Sequence, residues 1–155
     1  MTEIIIPLNG HVRIRAWEKQ EDGSEIQIRD QTIKNLIVNA GKESILKGLG
    51  NIGGGGYANE IGVGDDATTA AAGQTDLQAS TNKLWVAIAV ADRVFINNTL
   101  YISADFGYTQ GNWTWNELGL RDSQGTPVMW ARQTDATPLV KTTTKRAIVE
   151  WQLSL

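Results

Sequence analysis

The sequence predicts a mainly β domain: a two-sheet antiparallel sandwich, jelly-roll-like, with one short α-helix near residues 40–49. Three observations carry that expectation. Segments that alternate apolar and polar with a period of two recur along the chain, turn dipeptides separate them, and a single run has helical spacing. Seven or eight strands with one helix between them fit two stacked sheets.

The elements follow in order. From His11 to Glu18 the even positions Val12, Ile14 and Ala16 are apolar and the odd ones polar, the pattern of a half-buried strand. Asp22-Gly23 is a tight-turn dipeptide, and Glu25 to Arg29 alternates again, giving a hairpin. Asn39 is placed to cap a helix over Ala40 to Leu49, with Ile45, Leu46 and Leu49 on one face and Gly48 and Gly50 at its end. Gly53 to Gly56 is a flexible turn before a strand at Glu60 to Gly64. Asp65 to Gln74 is small and polar, a surface loop, and Thr75 to Ala79 can form one helical turn capped by Thr75. Leu84 to Val90 is almost continuously apolar, as in a strand covered on both faces or at an interface. Arg93 to Asn97 and Thr99 to Tyr108 flank Asn97-Asn98, with Leu100, Ile102, Ala104 and Phe106 on one face. Trp113 to Leu120, Pro127 to Arg132 and Ala147 to Leu153 complete the strands. Residues 1–10 read as an N-terminal arm and 11–155 as a single sandwich domain.

Composition narrows the function classes. Of 155 residues, 41% are hydrophobic and 20% charged, enough for a packed core. The net charge of −3 and a pI near 5.1 argue against a nucleic-acid partner, which needs a basic stripe. With no cysteine, disulfides and thiolate metal sites are excluded. The chain has no secretory leader pattern and no run of roughly 20 apolar residues, so no membrane is expected as a partner.

The residues that could carry chemistry are few. His11 is the one histidine and stands at a polar strand position. Tyr57 and Ala58 follow the glycine tract, where a phosphate loop would carry Lys and Ser or Thr. Asp65, Asp66 and Asp76 lack the alternating oxygen spacing of a calcium loop, and Glu117 with Asp105 is one of many acid pairs that 17 acids allow. No catalytic residue, cofactor or metal is therefore expected. Six tryptophans are many for this length, and most fall in alternating strands where core or subunit packing is the common use. Trp113 and Trp115 share a predicted strand face and form the best candidate for an exposed or interfacial patch. Glu117, beside Gly119, is expected to accept backbone N–H groups and to pair with Arg132 on a neighbouring strand.

Three stretches carry a resemblance. They are Lys34-Asn35-Leu36-Ile37-Val38-Asn39-Ala40-Gly41-Lys42 before the helix and Ile61-Gly62-Val63-Gly64-Asp65-Asp66 before Thr75-Asp76-Leu77. The third is Trp115-Asn116-Glu117-Leu118-Gly119-Leu120, followed by Met129-Trp130-Ala131-Arg132, Pro138 to Lys141 and a last strand. In order and spacing, residues 34–155 resemble the small structural proteins of tailed phages: head-decoration, fibre-attachment and baseplate components. The resemblance implies a non-enzymatic virion protein, made in the host bacterial cytoplasm. Its partners would be the major capsid protein or tail components, and it would be a homo-oligomer with a trimer favoured. Capsid decoration is preferred, because a lone domain carries no repetitive shaft; a tail or baseplate role is the alternative. The apolar segment from Thr2 to Leu8, with Ile4, Ile5, Ile6 and Leu8, is the expected docking arm. A carbohydrate-binding module stacking sugars on Trp113, Trp115 or Tyr57 is the reading from a different class.

Overall fold

The computed structural model describes residues 8–50, 53 and 56–154. Two five-stranded antiparallel sheets face each other, as the alternation predicts. The first has the order β2-β1-β10-β7-β6, from β1 (Asn9–Lys19), β2 (Glu25–Lys34), β6 (Arg93–Ile96), β7 (Thr99–Phe106) and β10 (Lys145–Ser154). The second has the order β3-β9-β8-β4-β5, from β3 (Leu36–Ile37), β4 (Glu60–Gly64), β5 (Lys83–Ala87), β8 (Thr114–Asp122) and β9 (Val128–Val140). A 3-10 turn at Val90–Asp92 leads the chain from one sheet to the other.

Alternation sorts the side chains. Val12, Ile14 and Ala16 of β1, Ile102, Ala104 and Phe106 of β7, and Ala147, Val149, Trp151 and Leu153 of β10 point inward from the first sheet. They meet Ile61, Val63, Leu118 and Leu120 of the second, each large side chain contributing about 1.5–3 kcal/mol by leaving water. The first hairpin closes as expected: Gly23 takes a φ of 85° and the Gln20 N–H donates to the Ser24 carbonyl at 2.8 Å. Its register slips between Ala16 and Trp17, and beyond that slip Ile26 and Ile28 end at the surface.

The helix α1 (Asn39–Leu49) sits where its spacing placed it, but its ends and buried face differ. Val38 occupies the N-cap position without a side-chain bond, and the Asn39 N–H donates to the Ala72 carbonyl at 2.9 Å. A neighbouring loop thus meets an amide that a capping side chain was expected to serve. Gly50 ends the helix at a φ of −82°, so no left-handed residue terminates it. Gly41 and Ser44 are buried and Ile45 half-buried, while Leu46 is exposed. The cause is Gly41, where a Cβ would stand 2.3 Å from the Trp130 carbonyl oxygen. Small residues bring the helix backbone onto β9, and that approach rotates Leu46 outward.

The segment 65–82 forms a third layer on the outer face of the second sheet. Leu77 and Ala79 are buried, and no helical turn forms at 75–79. Glu117 holds the segment, accepting the N–H groups of Gln78 at 2.9 Å and Ala79 at 2.8 Å. Arg132 lies against Glu117, its Nε and Nη2 each 2.7 Å from Oε2, and its Nη1 donates to the Thr68 carbonyl and to Gln74 Oε1. Both side chains are fully buried although they point away from the sandwich core. The pairing expected from Glu117 and Gly119 is present, and it straps a loop over the sheet. Trp85 lies in the same layer: Gly62 and Gly119, cross-strand partners, leave room for its ring, and Arg121 stacks on it at 4.1 Å while paired to Glu60. Trp85 thus belongs to an edge strand and is covered by the chain's own loop and Arg121. The strand expected at Leu84 to Val90 forms over Lys83–Ala87, at the border of the sheet, with Leu84 and Val86 packed on the core.

Candidate interaction surface

A sheet edge exposes unpaired N–H and C=O groups, and proteins that stay apart guard such edges with charge, bulges or brevity. Of the four edges here, β2 carries Glu25, Arg29, Asp30 and Lys34 and the register slip. The strand β3 is two residues long, and β5 begins at Lys83, paired with Asp76 at 2.7 Å. The edge β6 is different. Val94, Phe95 and Ile96 are all exposed, Phe95 at 69%, and the preceding Val90 reaches 86%. Its one charge, Arg93, is turned back over the Tyr57 ring at 4.9 Å. Asn97 and Asn98, at φ 49° and 60°, make the two-residue turn into β7.

Beside this edge the mouth of the sandwich opens into a concavity of about 710 Å³. Leu8, Leu153 and Leu100 line it from the ends of the first sheet, Phe95 from β6, and Ile45 and Trp130 from the helix and β9. Among the described residues no acid or base lines it, and its apolar side chains suit apolar groups.

Of the residues expected to bind partners, Leu8 is on this surface, and Ile4, Ile5 and Ile6 lie outside the described residues. Trp113 and Trp115 are elsewhere. Trp115 is 1% exposed, packs edge-to-face on Phe106 with ring centres 5.0 Å apart, and donates its Nε1–H to the Gly111 carbonyl at 2.7 Å. Phe106 and Leu100 are six residues apart on β7, roughly 20 Å along a strand, so the tryptophan corner and the concavity are separate places. Trp113 precedes β8 and packs partly buried against the core. The patch expected from their spacing therefore does not form: a register irregularity between Trp115 and Glu117 turns Trp115 inward.

The other tryptophans are also engaged. Trp130 and Trp151 are buried, and Trp17 lies under Arg146 at 4.3 Å. No observation on these rings favours sugar stacking, and the exposed Tyr57 has Arg93 over its face.

The tryptophan corner does hold a buried cation. Lys141 donates to the Gly107 carbonyl at 2.8 Å and to Asn112 Oδ1 at 3.0 Å, fixing the turn between β7 and β8. Burial lowers its ammonium from the ordinary 10.5 to about 8, against the attraction of Asp105. Between those two values the unfolded chain binds the proton more tightly, so this residue makes stability rise with pH across that window. We expect thermal unfolding scanned from pH 7.5 to 10.5 to show an upward component that Lys141→Met lacks. Identical slopes in the two proteins would count against it.

His11 is half-buried in β1 beside Lys34 and Gln152. Among the described residues no group of three or more His, Asp or Glu side chains is arranged to hold a metal. Asp65 is engaged with Asn82 and Asn116, Asp66 with Thr68, and Asp76 with Lys83.

The sequence signal for the surface was visible in Val94-Phe95-Ile96: three apolar residues without alternation in a short strand. Only the topology shows that this strand is an edge. Comparison with protein-family models, curated proteins and solved structures finds no match.

Proposed function

We propose that this chain is a non-enzymatic structural protein of a tailed-phage particle, most simply a decoration protein that binds and stabilises the head surface. A tail or baseplate position is the alternative within the same reading. Two lines support it: the likeness of residues 34–155 to such proteins, and a surface built for contact. The observation that carries the binding role is the unguarded β6 edge, continuous with an apolar concavity that no ionisable side chain lines among the described residues. An exposed apolar edge of this kind favours strand addition or packing by a neighbouring protein. In this reading the partners are the major capsid protein or a tail component, together with further copies of the chain, as a trimer.

The test is attachment. Phe95→Lys keeps an exposed position exposed, so unfolding should move by no more than about 0.5 kcal/mol. Binding to the particle, measured by co-sedimentation and by gold labelling in electron micrographs, should fall at least tenfold. Gold on heads supports decoration and gold on tails the alternative. Wild-type protein that never sediments with a particle, or a Phe95→Lys protein that attaches as well as the wild type, would remove the reading.

A further inference from the structure

Strand geometry fixes which backbone groups the bare border of β6 offers. Ile96 faces Thr99 across the two-residue turn Asn97-Asn98, so that pair exchanges backbone hydrogen bonds. By alternation Val94 does so with Tyr101. Phe95, opposite Leu100, then turns its N–H and C=O away from β7, and among the described residues neither has a partner. Arg93 offers only its carbonyl there, because its N–H donates to the Val90 carbonyl. A strand laid antiparallel on β6 can meet both Phe95 groups, and β6 of a second copy presents the same two groups in the reverse direction. We infer that two copies of this chain pair through β6 about a two-fold axis at Phe95, joining two five-stranded sheets into one.

The register that this axis imposes also matches the side chains. Val94 of each copy lies opposite Ile96 of the other, in the non-hydrogen-bonded sites where side chains come closest. Both residues are exposed in the single chain, and Tyr101 beside Val94 extends the apolar strip. Beyond them Arg93 faces Asn97 and Asp92 faces Asn98, so the carboxylate meets an amide and no like charges come together. A shift toward the start of the strand sets Phe95 against Arg93, whose N–H is already taken, and loses a bond. Turns at Val90–Asp92 and Asn97-Asn98 close both ends of β6, and a second copy brings a strand of the same length. The inference rests on the contact role given to β6 above and names the partner of the isolated chain. Higher stoichiometry on a particle would be added through other faces.

The test uses the purified chain without any particle. Analytical ultracentrifugation should show monomer and dimer in an equilibrium that shifts with concentration. Phe95→Lys, checked for folding by circular dichroism, sets two like charges face to face and should weaken pairing by roughly tenfold or more. The register is read with thiols, since the chain has no cysteine of its own. An equal mixture of Val94→Cys and Ile96→Cys chains, mildly oxidised, should give mostly the mixed dimer. Residues 94 and 96 face each other across the axis, whereas like thiols stand on diagonals about 7–8 Å apart, too far for a disulfide. A chain that stays monomeric at every concentration, or a Phe95→Lys chain that pairs as well as the wild type, would overturn the inference. So would like-thiol dimers as abundant as the mixed one. A dimer that never attaches to a particle would leave the pairing standing and remove the proposed function; a strictly monomeric chain that attaches would do the reverse.

Discussion

Arg132→Met is expected to cost about 3–5 kcal/mol of unfolding free energy, the largest loss of any single polar substitution in this chain. The residue is fully buried, and removing it leaves the Glu117 carboxylate out of water with two backbone N–H donors and no cation at hydrogen-bonding distance. The Thr68 carbonyl and Gln74 Oε1 lose their donor as well, so the effect reaches the segment 65–82. For a domain of 155 residues the loss corresponds to roughly 6–20 °C in Tm. Two further variants identify the cause. Glu117→Gln keeps the shape, removes the charge and strands Arg132 instead, so it should also destabilise. The double variant Glu117→Gln/Arg132→Met should lose less than the sum of the two, because neither charge remains unpaired. Limited proteolysis should cut first between Asp65 and Gln78 in the single variants. A change in Tm below about 2 °C for Arg132→Met would show that water reaches the pair.

Trp115→Ala carries the second large effect, about 3–5 kcal/mol, measured by chemical denaturation. The indole fills the corner between Phe106 and the turn that Lys141 fixes, and its Nε1–H serves the Gly111 carbonyl. Truncation removes the ring contact, opens a cavity and leaves that carbonyl with the Trp113 N–H as its remaining donor. The informative comparison is Phe95→Ala, which should be nearly silent in unfolding, since that ring stands mostly in solvent. Trp115→Ala that weakened self-association while leaving stability intact would return the residue to an interface and contradict the burial described above.

The sandwich was legible because its signal is local. Val12, Ile14 and Ala16, or Leu100, Ile102, Ala104 and Phe106, announce a buried face without reference to any other segment. The Glu117–Arg132 pair was also within reach, as a carboxylate followed directly by Leu118, Gly119 and Leu120 has few uses other than a buried bond. What spacing could not supply was the third layer. Thr75 to Ala79 reads as a capped turn, yet its amides are taken by Glu117, 38 residues ahead of Ala79. The tryptophan patch failed for a similar reason: the register shift between Trp115 and Glu117 turns Trp115 into the core, and Trp113, just before β8, packs against that core as well. The helix face was misjudged because Gly41 reads as a neutral residue until β9 is known to lie against it. The concavity needs α1, β6, β7, β9 and β10 to assemble, so no single segment could forecast it.

The contrast among the four sheet borders limits how such molecules can accumulate. Growth of a cross-β filament requires two adhesive rims on every subunit, one to receive and one to offer, and β6 is the single bare rim among the described residues. Joining rim to rim consumes both at once and ends the series at two partners. Any larger ring or lattice must then be closed by contacts of another kind. A preparation held at high concentration should accordingly stay free of fibres, even with a strip of oily residues open to water.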